Sequence, residues 1–311
     1  MGGLEMATPL WARLDTRHFV TLAEVVSTGS FTAAAESLGY TQSAVSQQIA
    51  RLERTLGQPV LHRSAGGRTV SPTPAGRVLL QHASSLVSTM QRAAADVSAL
   101  SQGIAGILRV GCFESVGSGL LPLALASFLD DFPRVQLELT ELADDGDLLD
   151  LVAGDELDLT FVVFPLAVGP YESQALLEDP YVLVVAEDSP MAGISGSVDL
   201  SDYPELPLMS YGKMRAVHSI EARLGRPVYG RRVVFRSNHT TTLLALARLG
   251  HAAAVLPRLA VPTPQPGLRI LELERVSPRI VGVAWPDNRP LSDPASGFVR
   301  ALEQVAGGST A

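Results

Sequence analysis

The sequence predicts an α/β protein in three parts: an N-terminal winged helix-turn-helix, a long linker helix, and a bilobal α/β domain. Three observations carry this. Residues 17–57 hold three amphipathic segments punctuated by glycines. Residues 74–100 repeat apolar side chains at alternating steps of four and three. From residue 107 onward, apolar runs alternate with helical patterns. The expected parts are an extension at 1–16, the winged helix-turn-helix at 17–73, the linker helix at 74–103 and the bilobal domain at 107–311. Its lobe I is expected at 107–163 and 274–311, and its lobe II at 164–273.

Taken in order, Phe19, Leu22 and Val26 recur at helical spacing before Thr28-Gly29 ends the first helix. Ser30 is an N-cap for a second helix, Phe31 to Leu38, which Gly39 closes in the left-handed conformation that glycine adopts without strain. Thr41 then caps a third helix whose Val45, Ile49, Leu52 and Leu56 form one buried stripe, with Gly57 at its end. Two short helices joined by a Gly-containing turn make a helix-turn-helix. A wing is expected next, with strands at Pro59-Val60-Leu61 and Thr69-Val70 around a turn at Ala65-Gly66-Gly67.

Thr73-Pro74 opens the linker helix, with proline where its missing N–H costs nothing. Leu79, Ala83, Leu86, Met90, Ala93, Val97 and Leu100 form three heptads of a and d positions, while the other faces are polar. A lone helix would leave this seam wet. The expected dimerisation residues are Leu79, Leu86, Met90, Val97 and Leu100; the alternative is packing of the seam on its own domain.

Beyond a hinge at Gly103–Gly106 the expected order is strand 107–111, helix 120–130, strand 135–141, helix 148–153 and strand 157–163. Phe164-Pro165 breaks the run. Strands follow near 174–177, 182–186 and 206–210, then helix 215–224, strand 231–235, helix 240–249 and strand 252–256. Strands 268–273 and 279–285 and helix 294–305 finish the chain. Such alternation implies mostly parallel sheets covered on both faces.

Composition sets bounds on function. A length of 311 residues suits two or three compact units, and 46% hydrophobic with 18% charged residues is globular rather than disordered. The single Cys112 excludes an intrachain disulfide and has no cysteine partner for a zinc site. Neither a signal-peptide pattern nor an apolar run of membrane-spanning length is evident, so a cytoplasmic protein is expected, with no membrane partner. The net charge of −8 is unevenly spread: residues 1–77 carry seven arginines against five acids, and the acidic excess lies beyond them. A weakly basic head on an acidic body suits a DNA-binding module carrying a sensor. The six histidines lack metal-ligand spacing, and G-x-S-x-G, P-loop and G-x-G-x-x-G motifs are missing, so no enzyme, metal or cofactor is expected.

The stretch Arg17-His18-Phe19 through Gly29-Ser30-Phe31-Thr32-Ala33-Ala34-Ala35, then Thr41-Gln42-Ser43-Ala44-Val45-Ser46-Gln47-Gln48-Ile49, Leu52-Glu53, Leu56-Gly57 and Thr73-Pro74-Ala75-Gly76, resembles the LysR-type transcriptional regulators. Looser agreement runs through Leu108-Arg109-Val110-Gly111, Leu121-Pro122 and Ala245-Leu246-Ala247-Arg248-Leu249-Gly250. Family members often place proline at Ser43, arginine at Gln47 and an aromatic or glutamate at His62; this chain departs from all three. The resemblance implies a bilobal body like a periplasmic binding protein, acting as an effector-binding domain.

A recognition helix needs side chains that donate and accept at base edges. With the apolar stripe turned inward, Gln42, Ser43, Ser46 and Gln47 are the expected base-reading residues, with phosphate contacts from Thr32, Thr41, Arg63 and Arg68. Arg51 and Arg54 read equally well as surface charges. Open α/β sheets bind ligands at the carboxyl ends of strands, and a helix N-terminus there favours an anion. The resemblance implies that Ser115 and its neighbours Phe113 and Val116 hold a carboxylate or similar group, with Phe164, Pro165, Ser210, Tyr211, Asn238 and His239 lining the same cleft. Cys112 reads as a buried structural thiol.

The expected function is sequence-specific DNA binding modulated by a small-molecule effector of anionic character. A homodimer or homotetramer would read an interrupted palindromic operator in double-stranded DNA, with RNA polymerase a candidate further partner. Two alternatives stay open: a ligand-free oligomerisation module in place of the effector domain, or a clamshell solute receptor or enzyme.

Overall fold

The computed structural model describes residues 14–63, 70–101, 106–212, 218–224 and 228–308, and the chain forms two compact units, 1–97 and 98–311. In the first unit, helices α1 (Thr16–Thr28), α2 (Phe31–Leu38) and α3 (Gln42–Leu56) begin at side-chain caps from Asp15, Ser30 and Thr41. Each ends at a left-handed glycine: Gly29, Gly39 or Gly57. The caps satisfy amide groups that a helix start leaves orphaned, so the punctuation of the sequence is physically enforced. Leu22, Val25, Ala34, Val45, Ile49 and Leu52 meet in one core, which Val60 and Leu61 complete.

The wing strands β1 (Leu61–Arg63) and β2 (Val70–Pro72) pair antiparallel, slightly later in the chain than expected. Pro59 has no N–H, and the Val60 amide is taken by the Glu53 carboxylate at 2.9 Å, so the ladder starts at Leu61. The wing turn, Arg68 and the side chain of Arg63 lie outside the described residues.

Helix α4 (Pro74–Ser101) starts at Thr73, whose hydroxyl donates to Pro59 O and accepts from the Gly76 amide. At 28 residues it is about 42 Å long. The expected seam divides. Leu79 packs against the core of its own head and Ala83 is 1% exposed, whereas Leu86, Met90 and Val97 are 39%, 53% and 68% exposed. The side chain of Leu100 lies outside the described residues.

The second unit contains two five-stranded sheets. Lobe I orders β4 (Val135–Glu141), β3 (Gly106–Cys112), β5 (Leu159–Phe164), β12 (Arg279–Pro286) and β6 (Tyr171–Asp179). Lobe II orders β11 (Leu268–Glu272), β7 (Tyr181–Ala186), β10 (Ala253–Pro257), β8 (Leu208–Ser210) and β9 (Val233–Arg236). Helices α5 (Glu114–Gly119), α6 (Leu121–Asp131), α7 (Asp145–Ala153) and α11 (Asp293–Gly308) belong to lobe I, where Phe128, Phe161 and Phe298 anchor the core. Helices α8 (Ile220–Arg223), α9 (Val228–Arg232) and α10 (Thr240–Ala247) belong to lobe II, whose sheet carries an apolar cluster on each face.

Three expectations are corrected. The sheets are mixed rather than mostly parallel, because β12 runs antiparallel to both β5 and β6, and β7 antiparallel to both β10 and β11. Lobe II does not begin at residue 164: β6 pairs with β12 along its length, so the first crossover falls between Asp179 and Tyr181, and Phe164-Pro165 is a cis turn inside lobe I. The expected strand 231–235 opens instead as helix α9 through Arg232. That guanidinium donates to the carbonyls of Leu200, Tyr203 and Leu206, which fixes the turn before β9.

Candidate functional site

Two places in the chain gather polar side chains on rigid elements. The first is α3. Val45, Ile49 and Leu52 point into the core, so the opposite face of the helix carries Ser43, Gln47, Arg51 and Arg54, all exposed. Thr41 and Gln42 are exposed at its start, and the Thr41 hydroxyl, which caps the Ala44 amide, lies 3.0 Å from that of Ser43. Ser46 is half-buried on the flank. Gln48 is drawn inward, where its side-chain carbonyl accepts from the buried Thr21 hydroxyl and ties α3 to α1. Thr32 is exposed in the first turn of α2. Beneath the α1 side of α3, His18 is buried; burial, opposed by Asp15 and reinforced by Arg51 and Arg17, pulls its pKa below 6.5.

The second place is a narrow cleft between the lobes with about 60 Å³ of space, below the roughly 300–1,000 Å³ of small-molecule sites. Lobe I supplies Phe113, Glu114 and Ser115 at the start of α5, together with Asp145, Val163 and Arg279; lobe II supplies Tyr181, Tyr211, His218, Asn238 and Pro257. Arg279, the first residue of β12, is buried and donates to Asp179 at 2.7 and 2.9 Å and to the Ser115 hydroxyl at 2.7 Å. Its guanidinium also lies 5.3 Å from the centre of the Phe113 ring. The other Asp179 oxygen accepts the Leu259 amide of lobe II at 3.0 Å.

Glu114 crosses the cleft. One of its oxygens accepts both the backbone amide and the hydroxyl of Thr240, at 2.8 and 2.9 Å. Helix α10 has no side-chain cap from His239, so the Glu114 carboxylate of lobe I caps a helix of lobe II. With the Thr240 hydroxyl donating to Glu114, the Tyr211 hydroxyl at 2.6 Å must donate to Thr240. Burial pushes the Tyr211 phenol up to about 12, so it stays a neutral donor. Burial likewise raises Tyr181. The His218 ring accepts from Arg223 Nη2 at its Nδ1, 3.0 Å away, which places its proton on Nε2.

Of the nine expected effector residues, Phe113, Ser115, Tyr211 and Asn238 line the cleft. Val116 is fully buried in the lobe I core. Phe164 packs in a small cluster with Leu149, Val162 and Ala284, and Pro165 is exposed beside it. Ser210 is buried and its carbonyl accepts the Ser237 amide; His239 is exposed before α10. Sequence reading missed Glu114, Asp145, Tyr181, His218 and Arg279 as lining residues. Arg279 left one trace, a lone cation heading an otherwise apolar strand. Among the described residues no cluster of His, Cys, Asp and Glu could hold a metal, and no helix is long and apolar enough to cross a membrane.

Residues 16–77 match the bacterial regulatory helix-turn-helix protein of the lysR family, and residues 101–307 match the LysR substrate binding domain. The chain belongs to the LysR family. It is therefore a DNA-binding transcriptional regulator with an effector-binding domain, not an enzyme. Among LysR-family relatives, the HTH-type transcriptional regulator YcgK of Bacillus subtilis (strain 168) is 26% identical over 307 residues, covering 92% of this chain and 93% of its own. The nitrogen assimilation regulatory protein nac of Klebsiella aerogenes is 29% identical and covers 79% of both chains. The crystal structure of full-length CbnR complexed with target DNA superposes with a TM-score of 0.67 at 20% identity, covering 94% of this chain and all of that one. This LysR regulator thus shares the fold of a full-length family structure.

Proposed function

We propose that this regulator reads its operator through α3, with Gln42, Ser43, Ser46 and Gln47 at base edges and with Thr32, Thr41, Arg63 and Arg68 on phosphates. The observation that carries the reading is the exposed polar face of α3, held rigid by the Thr41 cap and the Thr21–Gln48 bond. Similarity to CbnR, solved on its target DNA, supports it. Ser43 and Gln47 are the exposed base-reading candidates within that face, so they are the residues to change first. In a mobility-shift assay with DNA flanking the protein's own gene, Ser43→Ala/Gln47→Ala should lose specific retention. Specific retention equal to wild type would overturn the assignment.

The inter-lobe cleft is the effector site in this reading. Among the described residues its charge is two lining carboxylates, Glu114 and Asp145, against an Arg279 already neutralised by Asp179. In place of the anionic effector expected from the sequence, the proposal is a small ligand that presents hydrogen-bond donors to those carboxylates and an apolar part to Phe113, Val163 and Tyr181. Such a ligand, binding the native state alone, raises the unfolding temperature. In a thermal-shift screen of metabolites, stabilisation by carboxylic acids alone would refute the donor preference.

The unit of action is a homodimer or homotetramer in the cytoplasm, supported by the exposed Leu86, Met90 and Val97 of α4. A two-fold assembly would read an interrupted palindrome. Met90→Glu/Val97→Glu should reduce the mass seen by sedimentation; an unchanged mass would place the interface elsewhere.

A further inference from the structure

The α1 side of α3 forms a groove lined by Arg17, Gln47, Arg51 and Arg54. Its three cations are not equivalent. Arg17 is held by Asp15 through three side-chain hydrogen bonds, the shortest 2.6 Å, in an exposed pair that neutralises itself. Arg54 donates its Nε to the Ala50 carbonyl of its own helix, which leaves the end of the guanidinium free to point outward. Neither Arg51 nor Arg54 meets a carboxylate among the described residues, and both are exposed. The groove therefore keeps two uncompensated positive charges.

Their register on α3 gives these charges a role. Arg51 follows Gln47 by four residues and Arg54 by seven, so all three share one face with Ser43. At 1.5 Å per residue, Arg51 lies about 12 Å and Arg54 about 16 Å along the helix from Ser43. The major groove is about 12 Å wide. With Ser43 and Gln47 at base edges, side chains that far along the same face reach the wall of the groove, where phosphates rather than bases are found. Thr41 stands at the other end of α3, as its N-cap.

We propose that Arg51 and Arg54 form a phosphate track at the C-terminal end of α3, so that the helix is held between the two sugar-phosphate walls of one major groove. The proposal rests on α3 being the DNA-reading element. Its partner is the duplex backbone, and the two arginines carry affinity without sequence choice.

The test measures binding of the full chain to fluorescent DNA duplexes from about 50 to about 200 mM salt. The duplexes are one of mixed sequence and one carrying the DNA upstream of the protein's own gene. Wild type is compared with Arg51→Gln, Arg54→Gln, the double variant and Gln47→Ala. Each phosphate contact contributes about 0.9 to the slope of log K against log salt, so the double variant, which loses four contacts when two heads engage the duplex, should be shallower by about 3.6. Over that fourfold salt range, wild type should lose roughly 150-fold more affinity than the double variant. The loss should be the same factor on both duplexes, with an unfolding midpoint equal to wild type, because both side chains are exposed.

A slope equal to wild type in the double variant overturns the track. A loss confined to one duplex also overturns it, since that would make the arginines base readers. If wild type binds neither duplex, the DNA-reading role of α3 falls with it. If instead Gln47→Ala loses preference for the upstream duplex while the arginine variants match wild type, the role of α3 stands and the track alone fails.

Discussion

Replacing Asp179 by alanine would strand Arg279 in the wall of the cleft. The pair is 2.7 Å long with side-chain exposures of 1% and 7%, so little water can replace the lost carboxylate. Removing one partner of a buried pair costs about 3–5 kcal/mol, chiefly because the other charge stays buried and uncompensated. The Leu259 amide loses its acceptor at the same time, but this shares the same neighbourhood and is not simply additive. For a unit of this size about 1 kcal/mol moves the midpoint by roughly 2–4 °C, so Asp179→Ala should lower it by about 6–20 °C. Trp285 sits in β12 of the same sheet, and its fluorescence in a Trp11→Phe background reports this unit alone. Asp179→Leu/Arg279→Met removes both charges and should restore most of the loss. A single variant within about 1 kcal/mol of wild type, or a double variant no better than the single, would refute the reasoning.

Four further outcomes follow from the same geometry. Glu114→Ala removes the cap that α10 receives from the other lobe and should cost about 1–2 kcal/mol, with faster amide exchange at Thr240; unchanged exchange there would contradict the cap. Gly76→Ala places a Cβ 2.1 Å from the Val60 carbonyl oxygen, so the helix start or the wing strand must shift, and the head should lose about 1–3 kcal/mol by denaturant titration. His18 has its pKa depressed in the folded head, so its contribution is intact above pH 6.5 and is lost as pH falls from there through the folded value; His18→Gln should flatten that part of the stability profile. Burial pushes the Cys112 thiol up to about 11, so an alkylating reagent near neutral pH should label it only on unfolding, and rapid native labelling would contradict its burial.

The parts of the molecule that were legible are those in which cause and effect lie within a few residues. Ser30, Thr41 and Thr73 cap helices because their hydroxyls reach amides three residues on. The α3 stripe was readable because helical periodicity alone turns Val45, Ile49 and Leu52 to one side. The wing register was missed by a residue or two because the Glu53 carboxylate, seven positions away, takes the Val60 amide. The lobe boundary was missed because Phe164-Pro165 looks locally like a crossover, while the true one depends on β6 choosing β12 as its neighbour.

What the sequence by itself determined was the family, the order of parts and the outward face of α3. These rest on local spacing, which each segment carries before it meets any other. What only the tertiary structure decided was the wiring of the cleft. Glu114 meets Thr240 across 126 residues and Arg279 meets Ser115 across 164. Such pairs leave no periodicity in the chain. They exist because two mixed sheets, joined at Asp179–Tyr181 and again before Arg279, bring the ends of distant strands to one gap. There, burial makes every unpaired charge costly enough to require a partner.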